Sequence, residues 1–420
     1  MAPVSQSISQ ATSLGHILRD GLVRAVYQPI VDLDAGDVVA FEALARGPEG
    51  SPLERPDLLF DAARRTGRLV ELDWACRSAA VRGAMEAGFG PPLTLFVNVE
   101  PETLGTAPPA PSAALLDRAQ HELALVVECT ERAITGRPAE LLATLAAVRR
   151  RGWAVAVDDV GADPGSLALM PFLRADVIKL DLRLVQQRPS SSIAEIVSAV
   201  NAKAERSGAC VLAEGIETEA HAATARAMGA TLGRGWLFGR PGPLPDRLPT
   251  PAHGLSRGMP EVTDLDAGSP YAVATATRAP RDADKRLLIE VSKHLERQAL
   301  ALGRPTVVVG AFQEGRFFTP TTASRYTVLA ESAAFVGALG EGMPLAPAPQ
   351  VRGAVLDHDD PVRGEWDLAV VGPHFAGALV ARDLRDDGPD LDRRFEFVLT
   401  YERELVVDVA SALLARIAPA

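Results

Sequence analysis

The stretch ALVVECTERAITG, Ala124 to Gly136, runs as an apolar strand until Glu128, and a second carboxylate, Glu131, follows three residues later. One acidic strand end is ordinary, because strand ends meet water. Here the pattern recurs. Upstream, LTLFVNV ends on Asn98; downstream, WAVAVDD ends on Asp158 and Asp159. VVAFEA carries Glu42, ADVIKLD carries Lys179 and Asp181, and CVLAEGIE carries Glu214 and Glu217. Between these runs lie amphipathic segments. AELLATLAAVRRRG presents Leu141, Leu142, Leu145 and Val148 on one face and stops at Gly152, and SIAEIVSAVNAKAERSG repeats the design before Gly208.

Apolar strands alternating with amphipathic helices predict parallel βα units with both sheet faces covered. Seven or eight such units in about 230 residues fit a closed TIM-like (β/α)8 barrel, whose functional groups gather at the carboxyl ends of the strands. Glu42, Asn98, Glu128, Asp158, Asp159, Lys179 and Glu214 then share one mouth. Five carboxylates cannot converge uncompensated, since like charges raise one another's pKa or demand a cation. Oxygen donors without paired His or Cys suit magnesium or manganese. The adjacent Asp158 and Asp159 suit a pair of ions roughly 3.5 to 4 Å apart, the arrangement that favours phosphoryl chemistry. Singly, Asp158, Asp159 or Glu42 would read as a helix cap or solvated strand end, Lys179 as a surface lysine and Asn98 as a turn residue. Solvation alone does not require charge after nearly every apolar strand.

These residues carry a resemblance. FEALARG (Phe41–Gly47) resembles the signature of the EAL family of cyclic di-GMP phosphodiesterases. YQPI at Tyr27, VNV around Asn98, ECTE from Glu128, DDVG from Asp158, IKLD from Ile178, AEGIET from Ala213 and WLFGRP from Trp236 follow in family order. The resemblance covers roughly residues 14–245. It implies hydrolysis of cyclic di-GMP to linear pGpG by a homodimeric enzyme with two Mg2+ or Mn2+ ions per site, inhibited by calcium. Carried over by position, Glu42, Asn98, Glu128 and Asp158 would hold one metal, with Asp158, Asp159 and Glu214 at the second. Glu214 also matches a base position, and Lys179 would orient the attacking water or steady developing charge. Gln28, Arg46, Asp181 and Arg234 stand at substrate-contacting positions; Glu131 and Glu217 would support loops.

Two departures bear on activity. The family's DFGTGYSSL reads DVGADPGSL from Asp159, and Arg234 replaces the usual glutamine, either adding a phosphate contact or removing a guanine contact. The alternative to an active hydrolase is therefore a degenerate barrel that binds cyclic di-GMP or a protein without turnover. A formal net charge of -11 and no Lys/Arg stripe oppose nucleic-acid binding.

The first 13 residues read as a tail with neither the apolar core nor the basic cluster of a signal peptide, and no run suits a membrane span. A cytoplasmic location is expected. Cys76, Cys129 and Cys210 read as reduced packing residues, with a redox role for Cys129 beside Glu128 the lesser reading. Residues 246–280 read as a proline-rich linker. A smaller mixed α/β domain is predicted over 281–418, with helices at Lys285–Leu302, Ser324–Leu339 and Glu404–Ile417. Its strands include PTVVVGAF, WDLAVVG and GALVARDL. The acidic turn Asp357–Asp360 reads as a solvated loop. This half resembles the DICT domain, a sensory module found with cyclic di-GMP enzymes, which implies regulation of the barrel by an unidentified signal.

Overall fold

The computed structural model describes residues 13–130, 136–162, 167–168, 170–255, 268–386 and 389–419. The chain divides into two compact units, one of residues 1–130, 147–160 and 175–260, the other of 131–146, 161–174 and 261–420.

Eight strands close the first unit into a barrel in sequential order. They are β1 (Arg24–Asp32), β2 (Val38–Arg46), β3 (Thr94–Asn98), β4 (Ala124–Thr130), β5 (Ala154–Val160), β6 (Val177–Leu180), β7 (Cys210–Ala213) and β8 (Leu232–Arg234). From β2 to β8 the pairing is parallel. The expected all-parallel pattern fails at β1, which runs antiparallel to both β2 and β8. The cause is local: Asp32 Oδ1 accepts the backbone N–H groups of Asp34 and Ala35, and Gly36 takes a φ of 77°. That turn reverses the chain too soon for the crossover that parallel pairing requires.

The barrel interior is packed by Ile30, Ala40, Phe96, Val126, Ala156 and Leu212, all at most 1% exposed. The helix Ser191–Ser207 shows how the outer layer is specified. Ser190 Oγ accepts the N–H of Ile193, Ile193, Ile196 and Val200 turn inward, and Gly208 ends the helix at a φ of 70°. No helix among the described residues is long and apolar enough to cross a membrane.

The second unit contains a seven-stranded mixed sheet. Its strands are β9 (Arg281–Asp284), β10 (Val307–Glu314), β11 (Phe335–Glu341), β12 (Arg352–Val355), β13 (Glu365–Val371), β14 (Ala376–Asp383) and β15 (Arg394–Thr400). The order across the sheet is β12-β11-β10-β13-β14-β15-β9. Two sequence expectations change here. The helix predicted for Ser324–Leu339 is a helix from Pro320 to Ser332 followed by strand β11, because Phe335 and Val336 pair in parallel with Val307 and Val308 and are buried. Within the stretch read as linker, Pro270–Thr275 forms a helix capped by Ser269, and its Tyr271 is buried. In the acidic turn, Asp360 caps Val362 and accepts Arg416 Nε at 2.6 Å.

Candidate active site

Register brings the polar strand ends together. Gln28 pairs with Glu42 across β1 and β2, and Asn98 lies opposite Glu128. Thr130 lies opposite Asp158, so the β5 carboxylates follow directly on that row. At the centre stands Lys179, fully buried on β6. Its Nζ lies 2.8 Å from Asp158 Oδ1, 2.9 Å from Glu128 Oε1, 3.0 Å from Glu214 Oε1 and 3.4 Å from Glu42 Oε2. A lysine removed from water would ordinarily lose its proton; burial pushes its pKa down, but the four carboxylates outweigh it and raise the value well above normal. Lys179 is therefore a fixed cation.

Arg234 supplies a second. Its Nη1 is 2.7 Å from Glu42 Oε2 and 3.3 Å from Gln28 Oε1, and its Nη2 is 2.6 Å from Glu214 Oε1. Burial alone would raise the Glu214 pKa, yet Lys179 and Arg234 together hold it at about 2. Glu128 goes the other way. Burial, reinforced by the charge of Glu42, lifts its pKa well above the usual carboxylate range despite Lys179. Burial, then the charges of Asp158 and Glu214, push Asp159 up to about 6. Asp159 also takes a left-handed φ of 57°, a conformation costly for a residue with a side chain and frequent at functional sites.

Two observations test the site against a divalent ion. Asp158, Asp159 and Glu214 each present an oxygen within 4.8 Å of the others, the one such cluster of three or more candidate ligands among the described residues. Both carboxylate oxygens of the buried Glu128 lack a hydrogen bond, the approach of Lys179 being an electrostatic contact only. All these donors are oxygens, so the residues present fit magnesium or manganese.

Comparison with known proteins places this geometry. Residues 6–241 match the EAL domain, more than half of the chain. The chain belongs to the EAL domain family. Residues 271–384 match the sensory domain found in diguanylate cyclases and two-component systems, the DICT domain. The chain is 32% identical over 253 residues to the cyclic di-GMP phosphodiesterase NbdA of Pseudomonas aeruginosa, across 57% of this chain and 31% of NbdA. It is 29% identical over 249 residues to the cyclic di-GMP phosphodiesterase RocR of the same organism, across 57% of this chain and 64% of RocR. It thus spans less than two thirds of either relative. Among solved structures, Klebsiella pneumoniae BlrP1 in a manganese and cyclic di-GMP complex at pH 9.0 is 27% identical, across 53% of this chain and 56% of that one, with a TM-score of 0.46.

Within the EAL barrel, Glu42, Glu128, Asp158, Asp159, Lys179 and Glu214 converge as the sequence suggests. Asn98 is exposed at the rim, its Nδ2 donating to Glu42 Oε1 at 3.4 Å. Gln28 is buried with its amide committed: Nε2 donates to the carbonyl of Gly239, and Oε1 accepts from Arg234. Arg46 lines a cleft of about 330 Å³ with Asn98, Arg64 and Glu100. Asp181 caps the helix Leu182–Gln186 and accepts the N–H and Nε of Arg183. Glu217 is exposed, and its backbone N–H donates to His221 Nδ1. Glu131, together with Asp163, Pro164 and Gly165 of the altered loop, lies outside the described residues. Cys129 is buried, and burial pushes its thiol up to about 12, so it packs rather than reacts.

Sequence reading missed the acidic network flanking the cleft. Asp73, buried on the helix Leu69–Glu86, accepts from Thr103 Oγ1 at 2.6 Å and from Arg77. Glu100 is pushed up to about 7, by burial first, with Arg64 opposing and Asp73 and Glu102 reinforcing. The available signal was Asp73 between Leu72 and Trp74, both turned into the core.

Proposed function

We propose that this EAL barrel is a cyclic di-GMP phosphodiesterase that hydrolyses its substrate to linear pGpG. The observation that carries the reading is the convergence of four carboxylates on one buried ammonium, with Glu128 left without a hydrogen bond. Glu42, Asn98, Glu128 and Asp158 would hold one divalent ion and Asp158, Asp159 and Glu214 another. When bound, such ions supply a water activated for in-line attack and charge stabilisation at the scissile phosphate.

The chain's own groups do the rest. Lys179 holds four carboxylates in register and keeps its charge, so the mouth retains one geometry through the reaction. Glu214, held at about 2, stays an anion and is a weak base. Asp159, pushed to about 6 by burial and then by Asp158 and Glu214, would be driven to its anion by a divalent ion on the same carboxylates. Attack at phosphorus breaks the bond to a ribose 3′ oxygen, which leaves with a proton, and the phosphate stays on the 5′ side of the product. Arg46, in the cleft beside Asn98, offers a fork of donors to a phosphate or guanine edge.

One observation favours a second reading. Arg234 already occupies Glu42 and Glu214, which suits a receptor that binds cyclic di-GMP without turnover. Chromatography of cyclic di-GMP after incubation with the full chain and Mg2+ or Mn2+ separates the two. Formation of pGpG, lost by at least about a thousand-fold in Glu42→Ala or Asp158→Ala, supports the enzyme. Unchanged substrate that is nevertheless bound supports the receptor. The proposal extends to a cytoplasmic homodimer whose output is set by the DICT unit, with calcium as an inhibitor.

A further inference from the structure

The Glu42 side of the mouth already holds a positive charge that belongs to the chain. Glu42 has no free oxygen: Oε1 accepts the Asn98 amide, and Oε2 takes both Lys179 and Arg234. Arg234 spans from there to Glu214, so its guanidinium bridges a carboxylate of β2 and one just beyond β7. It is held from behind as well. Ile30 of β1 pairs with Arg234, the Ile216 N–H donates to the Arg234 carbonyl at 3.0 Å, and Gly235 is pressed so closely on the Ile216 backbone that no Cβ would fit. Gln28 Oε1 accepts a third contact from the same guanidinium.

We propose that Arg234 is a built-in cation that competes with the divalent metal for the Glu42 side of the site, so that the barrel loads its two ions with unequal affinity. The first ion settles on Asp158, Asp159 and Glu214, whose oxygens already converge without Glu42 and of which Arg234 touches one, Oε1 of Glu214. The second must displace the guanidinium from Glu42 Oε2 or tolerate it as a neighbour. Either way a fixed positive charge a few ångströms from a divalent ion weakens its binding. Arg234 is thus a positioning residue that sets the metal concentration at which the site becomes complete. This inference rests on the metal-dependent reading above.

The test is titration of the full chain with Mn2+, following free Mn2+ by electron paramagnetic resonance, for the wild type, Arg234→Gln and Arg234→Lys. The wild type is expected to show one tight event and a second about ten-fold or more weaker. Arg234→Gln should tighten the second by about ten-fold and the first by less, while Arg234→Lys, which keeps the charge, should stay close to the wild type. Thermal unfolding of each variant confirms that it is folded. Two events that Arg234→Gln leaves unchanged, or a second event that it weakens, overturn the inference while leaving the phosphodiesterase reading intact. No Mn2+ event in either wild type or Arg234→Gln overturns both.

Discussion

Both units bury carboxylates, and they neutralise them by different means. In the barrel mouth, Glu42, Glu128, Asp158 and Glu214 surround Lys179, and Arg234 closes on two of them. In the second unit, Asp367 lies in the middle of β13 between β10 and β14, with both carboxylate oxygens buried beside the Glu365 carboxyl and the Ala381 backbone. Its neighbour Glu365 accepts the N–H of Tyr271 at 2.9 Å, and neither acid has an ion-pair partner among the described residues. The barrel therefore stores charge and the second unit stores protons. Burial first, then the charge of Glu365, raises the Asp367 pKa well above the usual range. A site built to receive cations needs ionised carboxylates: Lys179 and Arg234 keep Glu214 so, while Glu128, raised by burial and Glu42, is left for an incoming cation to ionise.

The largest effect should come from removing that cation. Lys179→Met leaves four carboxylates facing one another out of water, and breaking a buried pair from one side costs about 3–5 kcal/mol. Unfolding of the full chain without metal should shift down by about 10 °C, and saturating Mn2+ should recover part of the loss. An unchanged midpoint in both conditions would mean that the carboxylates are already protonated, and the contrast with the second unit would disappear.

Asp367→Asn tests the other side. The folded state holds a proton on Asp367 that the unfolded chain releases above the ordinary carboxylate range. Wild-type stability from this group is therefore greatest at low pH and falls as pH rises. The amide copies the neutral acid and escapes that fall. Near pH 4 the two proteins should unfold at similar temperatures, and at pH 8 the variant should be more stable by several degrees. A variant less stable throughout would show Asp367 to be charged and paired.

How far each unit was legible in the sequence follows the same division. The barrel strands announce themselves because parallel strands covered on both faces read as apolar runs, and the carboxylates at their ends stand out by position. Arg234 stands out only as a replacement for the usual glutamine at a substrate-contacting position; its carboxylate partners are fixed when β8 closes onto β1 and brings position 234 beside Gln28 and Glu42. The reversal at Gly36 is equally hidden, since the turn residues Asp34 to Gly36 do not by themselves say that β1 pairs with both β2 and β8. In the second unit the alanine-rich stretch up to Leu339 favours a helix locally, and tertiary pairing with β10 overrides that preference from Phe335 onward. Asp367, by contrast, was visible as a charge inside WDLAVVG, but nothing local says whether it carries a proton.

Glu100 lies between these extremes and should give the smallest effect. It sits at the rim of the barrel cleft, 25% exposed at its side chain, with Arg64 Nη2 2.6 Å away, yet its pKa is pushed up to about 7. Burial dominates, and the nearby Asp73 and Glu102 add to it. A carboxyl whose folded value lies above its unfolded one contributes stability that is complete below the unfolded value and declines as pH rises toward the folded one. Here that window runs from about 4.5 to about 7. Glu100→Gln removes the decline together with the Arg64 ion pair, and partial exposure screens both effects. The difference in unfolding temperature between variant and wild type should therefore move in favour of the variant by about 2–4 °C between pH 5 and pH 8. A difference that moves the opposite way would mean that Arg64, not burial, decides the charge of Glu100, and that the cleft is compensated like the mouth beside it.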